Sequence, residues 1–113
     1  MENLSNLPSS DQVKLLKEIV RRIVELAAPD RVVMFGSRAR GDARSESDVD
    51  LLVVKSDVPS RREIGDKIYV KLIGIPAPID VVVVTPDDIS KYTEGAGTII
   101  PAVLKEGIEI YAA

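Results

Sequence analysis

"RVVMFGSRARGDARSESDVDLLVV", Arg31–Val54, holds two short apolar runs separated by a polar stretch that opens with Gly36-Ser37. Arg31–Phe35 and Val49–Val54 are too short for typical helices and rich in Val, Leu and Met, so both are read as buried strands. The second run carries Asp48 and Asp50 at its head, where apolar residues are otherwise the rule. A strand sends residues i and i+2 to the same face, with Cα atoms roughly 7 Å apart. Two carboxylates placed so repel each other and are costly to desolvate. Either "SESD" is a solvated turn with both acids at its edge, or the pair has a counter-charge. Divalent cations supply one, and two ions about 3.5–4 Å apart suit carboxylates that bridge them.

Gly36 follows the first strand directly, and glycine lets the backbone turn sharply and approach a ligand. A short helical turn is expected next, followed by a loop through residue 47. The free N–H groups at the start of such a turn suit an anion, although a plain strand-to-helix cap has the same sequence. The Ser37 hydroxyl adds a donor without bulk. Arg38, Arg40 and Arg44 follow, and guanidinium groups match phosphate oxygens, while a solvated loop also accommodates Arg44.

Upstream, residues 1–8 read as a frayed polar lead. Ser9-Ser10-Asp11 starts a helix in which Val13, Leu16, Val20, Ile23 and Ala27 recur at three- and four-residue spacing, and Pro29-Asp30 ends it. Downstream, a helix is expected over about 60–73, with Ile64, Ile68 and Leu72 on one face. Ile79–Val84 is the third strand, and Asp80 stands near its head. Asp is a poor strand residue and a costly buried one. It is either a turn residue after Pro78 or a third carboxylate for the Asp48/Asp50 site. Thr85-Pro86-Asp87-Asp88 starts a short helix, with a Thr cap, Pro in the first position and acids in the first turn. Glu94–Gly97 reads as flexible, 98–106 as a last helix stopped by Gly107, and Ile108–Tyr111 as an edge strand. The expected fold class is α/β, a small mixed β-sheet flanked by helices in a single domain over 1–113.

Composition narrows the chemistry. The 113 residues include no Cys and no His, which removes disulfides, thiolate nucleophiles, a Ser-His-Asp triad and imidazole or thiolate metal sites. Carboxylates, hydroxyls, Lys and Arg remain, and oxygen-only ligation points to a hard cation such as Mg²⁺. A net charge of −3 argues against strong direct binding to nucleic acid, but a small phosphate ligand needs only local positive charge. No apolar run approaches the ~20 residues of a membrane span, and a cytoplasmic location without membrane contact is expected.

Gly-Ser, ten residues, then Asp-x-Asp in a strand, with a further Asp on a later strand, is far more specific than any one of its parts. In this arrangement "GSRARGDARSESDVDLLV" resembles the signature of the polymerase-β-type nucleotidyltransferase superfamily. With the ending "LKEGIEIYAA", the chain from about Val13 to Tyr111 is similar to its smallest members, the minimal nucleotidyltransferases. The resemblance implies a polymerase-β-like fold and transfer of AMP from ATP with two Mg²⁺ ions, Mn²⁺ being an alternative. It also implies an antitoxin role, with a tyrosine of a HEPN-type toxin encoded next door as acceptor. On that resemblance Gly36 and Ser37 bind the triphosphate, with Arg38 and Arg40 as further nucleotide-binding candidates. Asp48 and Asp50 ligate both metals, and Asp80 completes one metal site and helps deprotonate the attacking hydroxyl. Two other readings remain open: an antitoxin that only covers its partner, and a catalytic subunit whose small-molecule or nucleic-acid acceptor is held by another subunit.

Overall fold

A computed structural model of the chain describes residues 10–41, 48–92 and 100–113. The expected frayed lead, the loop with Arg44 and the Glu94–Gly97 segment fall outside these. Among the described residues four strands, β1 (Arg31–Phe35), β2 (Val49–Val54), β3 (Ile79–Val84) and β4 (Ile108–Ala112), form one sheet in the order β3-β2-β1-β4. β1 runs antiparallel to β2 and β4, whereas β2 and β3 are parallel. The sheet is thus mixed, with β4 at one edge as expected and β3 at the other.

A parallel pair needs a crossover connection. Helix α3 (Arg61–Lys71) supplies it between β2 and β3. It starts where Ser60 Oγ accepts the Glu63 N–H at 3.2 Å, satisfying one of the first-turn amides left without a helical partner. At its other end, orphaned carbonyls need donors. Arg22 of helix α1 (Ser10–Ala27) provides them, donating from Nη1 to the oxygens of Lys71 (3.3 Å) and Ile73 (2.9 Å). These bonds tie α1 to the crossover.

The helices cover both faces. Leu16, Ile19 and Ile23 of α1, Ile68 of α3 and Leu72 just after it pack on Met34, Val49, Leu51, Val53 and Ile110. On the opposite face, Ile100 and Val103 of α5 (Ile100–Glu106) pack on Val33, Leu52, Val54 and Val84, joined by Ile89 of α4 (Pro86–Tyr92). Because β2 is covered from both sides beyond Asp50, Leu51–Val54 is a continuous apolar run rather than an alternating one. In α1, Ile19 rather than Val20 belongs to the innermost row, since the buried row steps 16, 19, 23, 27. The choice between neighbouring apolar residues depends on where the sheet lies, not on spacing.

Thr85 Oγ1 accepts the Asp88 N–H (3.1 Å) and Asp88 Oδ2 accepts the Thr85 N–H (2.9 Å), a reciprocal cap at the start of α4. Thr85→Ala should cost about 1 kcal/mol, read from the urea unfolding midpoint. On the outer face of α1, Arg21 and then Arg22 hold the Glu18 carboxyl down to about 2 from 4.5. A depressed carboxyl stabilises the fold above its ordinary value and loses that contribution as pH falls toward the folded one. Unfolding measured between about pH 5 and 2 should therefore be less pH-dependent in Glu18→Gln than in the wild type.

Candidate active site

β1 ends at Phe35, and the chain must leave the sheet beside β2. Gly36 makes that exit at φ 76°, ψ −158°, a conformation essentially reserved for glycine. A Cβ there would lie 2.2 Å from Asp50 Oδ2, so the backbone at residue 36 is pressed against the carboxylate. The short turn α2 (Ser37–Arg40) follows, as the sequence predicts. The Gly36 carbonyl accepts the Ala39 and Arg40 N–H groups, both at 3.1 Å, and Gly41 in the left-handed region (φ 84°) closes the turn.

The three acids come together by strand pairing. Asp48 and Asp50 project to one side by strand alternation. Asp50 and Asp80 are direct partners in the parallel β2–β3 register, and Phe35 faces Asp50 from β1. One carboxylate oxygen from each of Asp48, Asp50 and Asp80 lies within 4.8 Å of the others. Among the alternatives left open by the sequence, Asp80 is thus a neighbour of the Asp48/Asp50 pair rather than an isolated turn residue.

Electrostatics at Asp50 follow from this crowding. Asp48 and Asp80 are exposed and Asp50 is half-buried. Burial pushes the Asp50 carboxyl above its ordinary range, Asp80 and then Asp48 add to the rise, and Arg40 partly offsets it. Three converging carboxylates with no His or Cys nearby make an oxygen-only donor set, which fits a hard divalent cation.

The arginines divide. Arg40 is half-exposed, 3.8 Å from Glu106 at the end of α5, and close enough for its charge to act on Asp50. Arg38 is only 5% exposed, and its Nη1 donates to Gln12 Oε1 near the start of α1. Its guanidinium braces α2 against α1. Gln12 and Glu106, which orient these arginines, carry no local signal in the sequence, because both contacts join elements far apart in the chain.

Comparisons with known proteins bear on the family and the fold. A family model described as "Nucleotidyltransferase domain" matches residues 13–106. A curated relative named "Putative protein adenylyltransferase", from Methanocaldococcus jannaschii, is 40% identical over 53 residues, covering 45% of this chain. The match spans about half (54%) of that relative's length. The structure of a "putative nucleotidyltransferase" from Sulfolobus solfataricus superposes with a TM-score of 0.61 at 24% identity, covering 88% of this chain and 78% of the other. A toxin–antitoxin structure with AMP-PNP superposes at 0.54, with 17% identity, 86% of this chain and 73% of the other covered. A mutant of the MntA-HpeT toxin–antitoxin gives 0.53 at 16% identity, with 86% and 72% covered. At these identities the structural likenesses establish the fold. With the Gly-Ser turn, the paired strand acids and a family match along most of its length, the chain belongs to the nucleotidyltransferase domain family.

Proposed function

We propose that the protein transfers AMP from ATP to a hydroxyl of a separately encoded partner protein, a HEPN-type toxin, and acts as its antitoxin. The observation that carries this reading is the convergence of Asp48, Asp50 and Asp80 beside the Gly36-Ser37 turn. The adenylyltransferase name of the curated relative and the toxin–antitoxin titles of two structural neighbours support it.

In this mechanism the acceptor oxygen attacks the α-phosphorus of ATP, the bond to the bridging oxygen breaks, and pyrophosphate leaves. Asp48 and Asp50 would hold two Mg²⁺ or Mn²⁺ ions and Asp80 would complete one of the two sites. Bound there, divalent ions supply Lewis acidity, lowering the pKa of a hydroxyl and offsetting charge on a leaving group. Asp80 takes up the proton as the acceptor oxygen attacks. Ser37 donates to the triphosphate, Gly36 lets it approach the backbone, and Arg40 adds positive charge beside it. Arg38 contributes through the turn it braces. Most of the rate enhancement would come from positioning and charge neutralisation.

The test uses α-labelled ATP, Mg²⁺ and the product of the adjacent gene. Label should appear on that partner with the wild type and be absent with Asp48→Asn or Asp50→Asn. If label never reaches the partner while both variants still neutralise it, the protein acts by covering its partner. Label on a small molecule or nucleic acid held by the partner would instead make the chain a catalytic subunit.

A further inference from the structure

We infer that Tyr69 is a positioning residue for Asp80, holding the outer edge of the sheet so that the third carboxylate stays in the metal-binding cluster. The inference rests on the metal-dependent reading of the acidic site.

Among the described residues β3 is an edge strand, paired on one side, with β2. Alternate N–H groups of such a strand face away from the sheet and need another acceptor. On the β2 side, Asp80 is held by its register with Asp50, and the Pro78 carbonyl accepts the Val49 N–H at 2.8 Å. On the open side, the Tyr69 hydroxyl, carried by α3, accepts the Val81 N–H at 2.8 Å. That N–H belongs to the peptide joining Asp80 to Val81, so the bond fixes the peptide plane that sets where Asp80 stands. The tyrosine reaches it across 12 residues of sequence and spans the gap between crossover helix and sheet edge. Tyr69 is 42% exposed, so it contributes little to the core, and the hydroxyl is the part that acts on the strand.

Residues behind a metal ligand orient it, and losing one typically weakens metal affinity or activity 10–100-fold. Asp80 has a particular need for such support. It is exposed, at the head of an edge strand, and repelled by two other carboxylates within 4.8 Å. Without Tyr69 the outer peptide is free to tilt, and repulsion favours the tilt that carries Asp80 away.

Tyr69→Phe removes only the hydroxyl. Mn²⁺ added alone, followed by electron paramagnetic resonance, should bind about tenfold more weakly to this variant than to the wild type. Amide exchange should accelerate at Val81 and not in the buried centre of β2, with the unfolding midpoint shifted only slightly. In the transfer assay kcat should fall about tenfold while KM for ATP stays near the wild-type value, because the triphosphate contacts are untouched. Asp80→Asn serves as reference. If Asp80→Asn weakens Mn²⁺ binding but Tyr69→Phe does not, the positioning role is wrong and the metal site stands. If Asp80→Asn changes nothing, Asp80 is not a ligand and the Tyr69 role falls with it; if the wild type binds no Mn²⁺, the metal-site reading fails as well.

Discussion

Asp50→Asn is expected to abolish nucleotidyl transfer while leaving the metal-free protein more stable than the wild type. The same crowding produces both effects. The Asp50 carboxylate is half-buried, and its charged form is opposed by burial and by Asp80 and Asp48. A carboxyl raised above its unfolded value of 3.8 costs nothing while protonated in both states. The penalty grows as pH rises past 3.8 and is complete above the folded pKa, so the variant's advantage should be present at neutral pH and vanish in acid. Mg²⁺ should reverse the ranking. A ligand at ten times its Kd stabilises the native state by about 1.4 kcal/mol. For a domain of this size that corresponds to a rise of roughly 4–10 °C in Tm. The wild type should show that rise and Asp50→Asn should not. Loss of metal-supplied charge stabilisation, several kcal/mol, predicts a fall in transfer of on the order of 10³-fold. A Tm increase with Mg²⁺ that persists in an Asp48→Asn/Asp50→Asn double variant would put the ion somewhere else.

Gly36→Ala carries the second large effect, and it acts twice. The backbone angles at residue 36 cost an L-residue about 1–3 kcal/mol. In addition, the new Cβ would sit 2.2 Å from Asp50 Oδ2, so the carboxylate must move. A shift of about 1 Å in a reacting group is enough for a 10²-fold loss of rate. The expected outcome is a lower melting temperature, loss of the Mg²⁺-dependent rise, and transfer reduced at least 10²-fold. Gly41→Ala separates the two causes. Gly41 is also left-handed (φ 84°), but among the described residues nothing lies within 4 Å of a Cβ placed there. That variant should lose stability, by about 1–2 kcal/mol, and keep both metal response and most activity. Equal damage at both glycines would mean that backbone strain, rather than contact with Asp50, dominates at residue 36.

Much of this site is legible in the chain because its signals are local. Arg31–Phe35 and Val49–Val54 are strands by composition and length, Gly36 is needed where a strand must exit sharply, and Asp48 and Asp50 share a side because strands alternate. None of these depends on what lies across the fold. Asp80 is different. Its own neighbours permit a turn, and it joins the acids because β3 returns parallel to β2 in a register that sets residue 80 against residue 50. The placement of the arginines is likewise set by distant partners: Arg38 turns inward to Gln12 and Arg40 stays beside Asp50 and Glu106, although both sit in the same four-residue turn. Tyr69 reads as one more residue of an amphipathic helix until the crossover carries its hydroxyl to the sheet edge. Strand identity, turn and charge pattern are encoded within a few residues, by sterics and burial. Which charges meet is set by register and crossover, and those arise only when segments dozens of residues apart pack together.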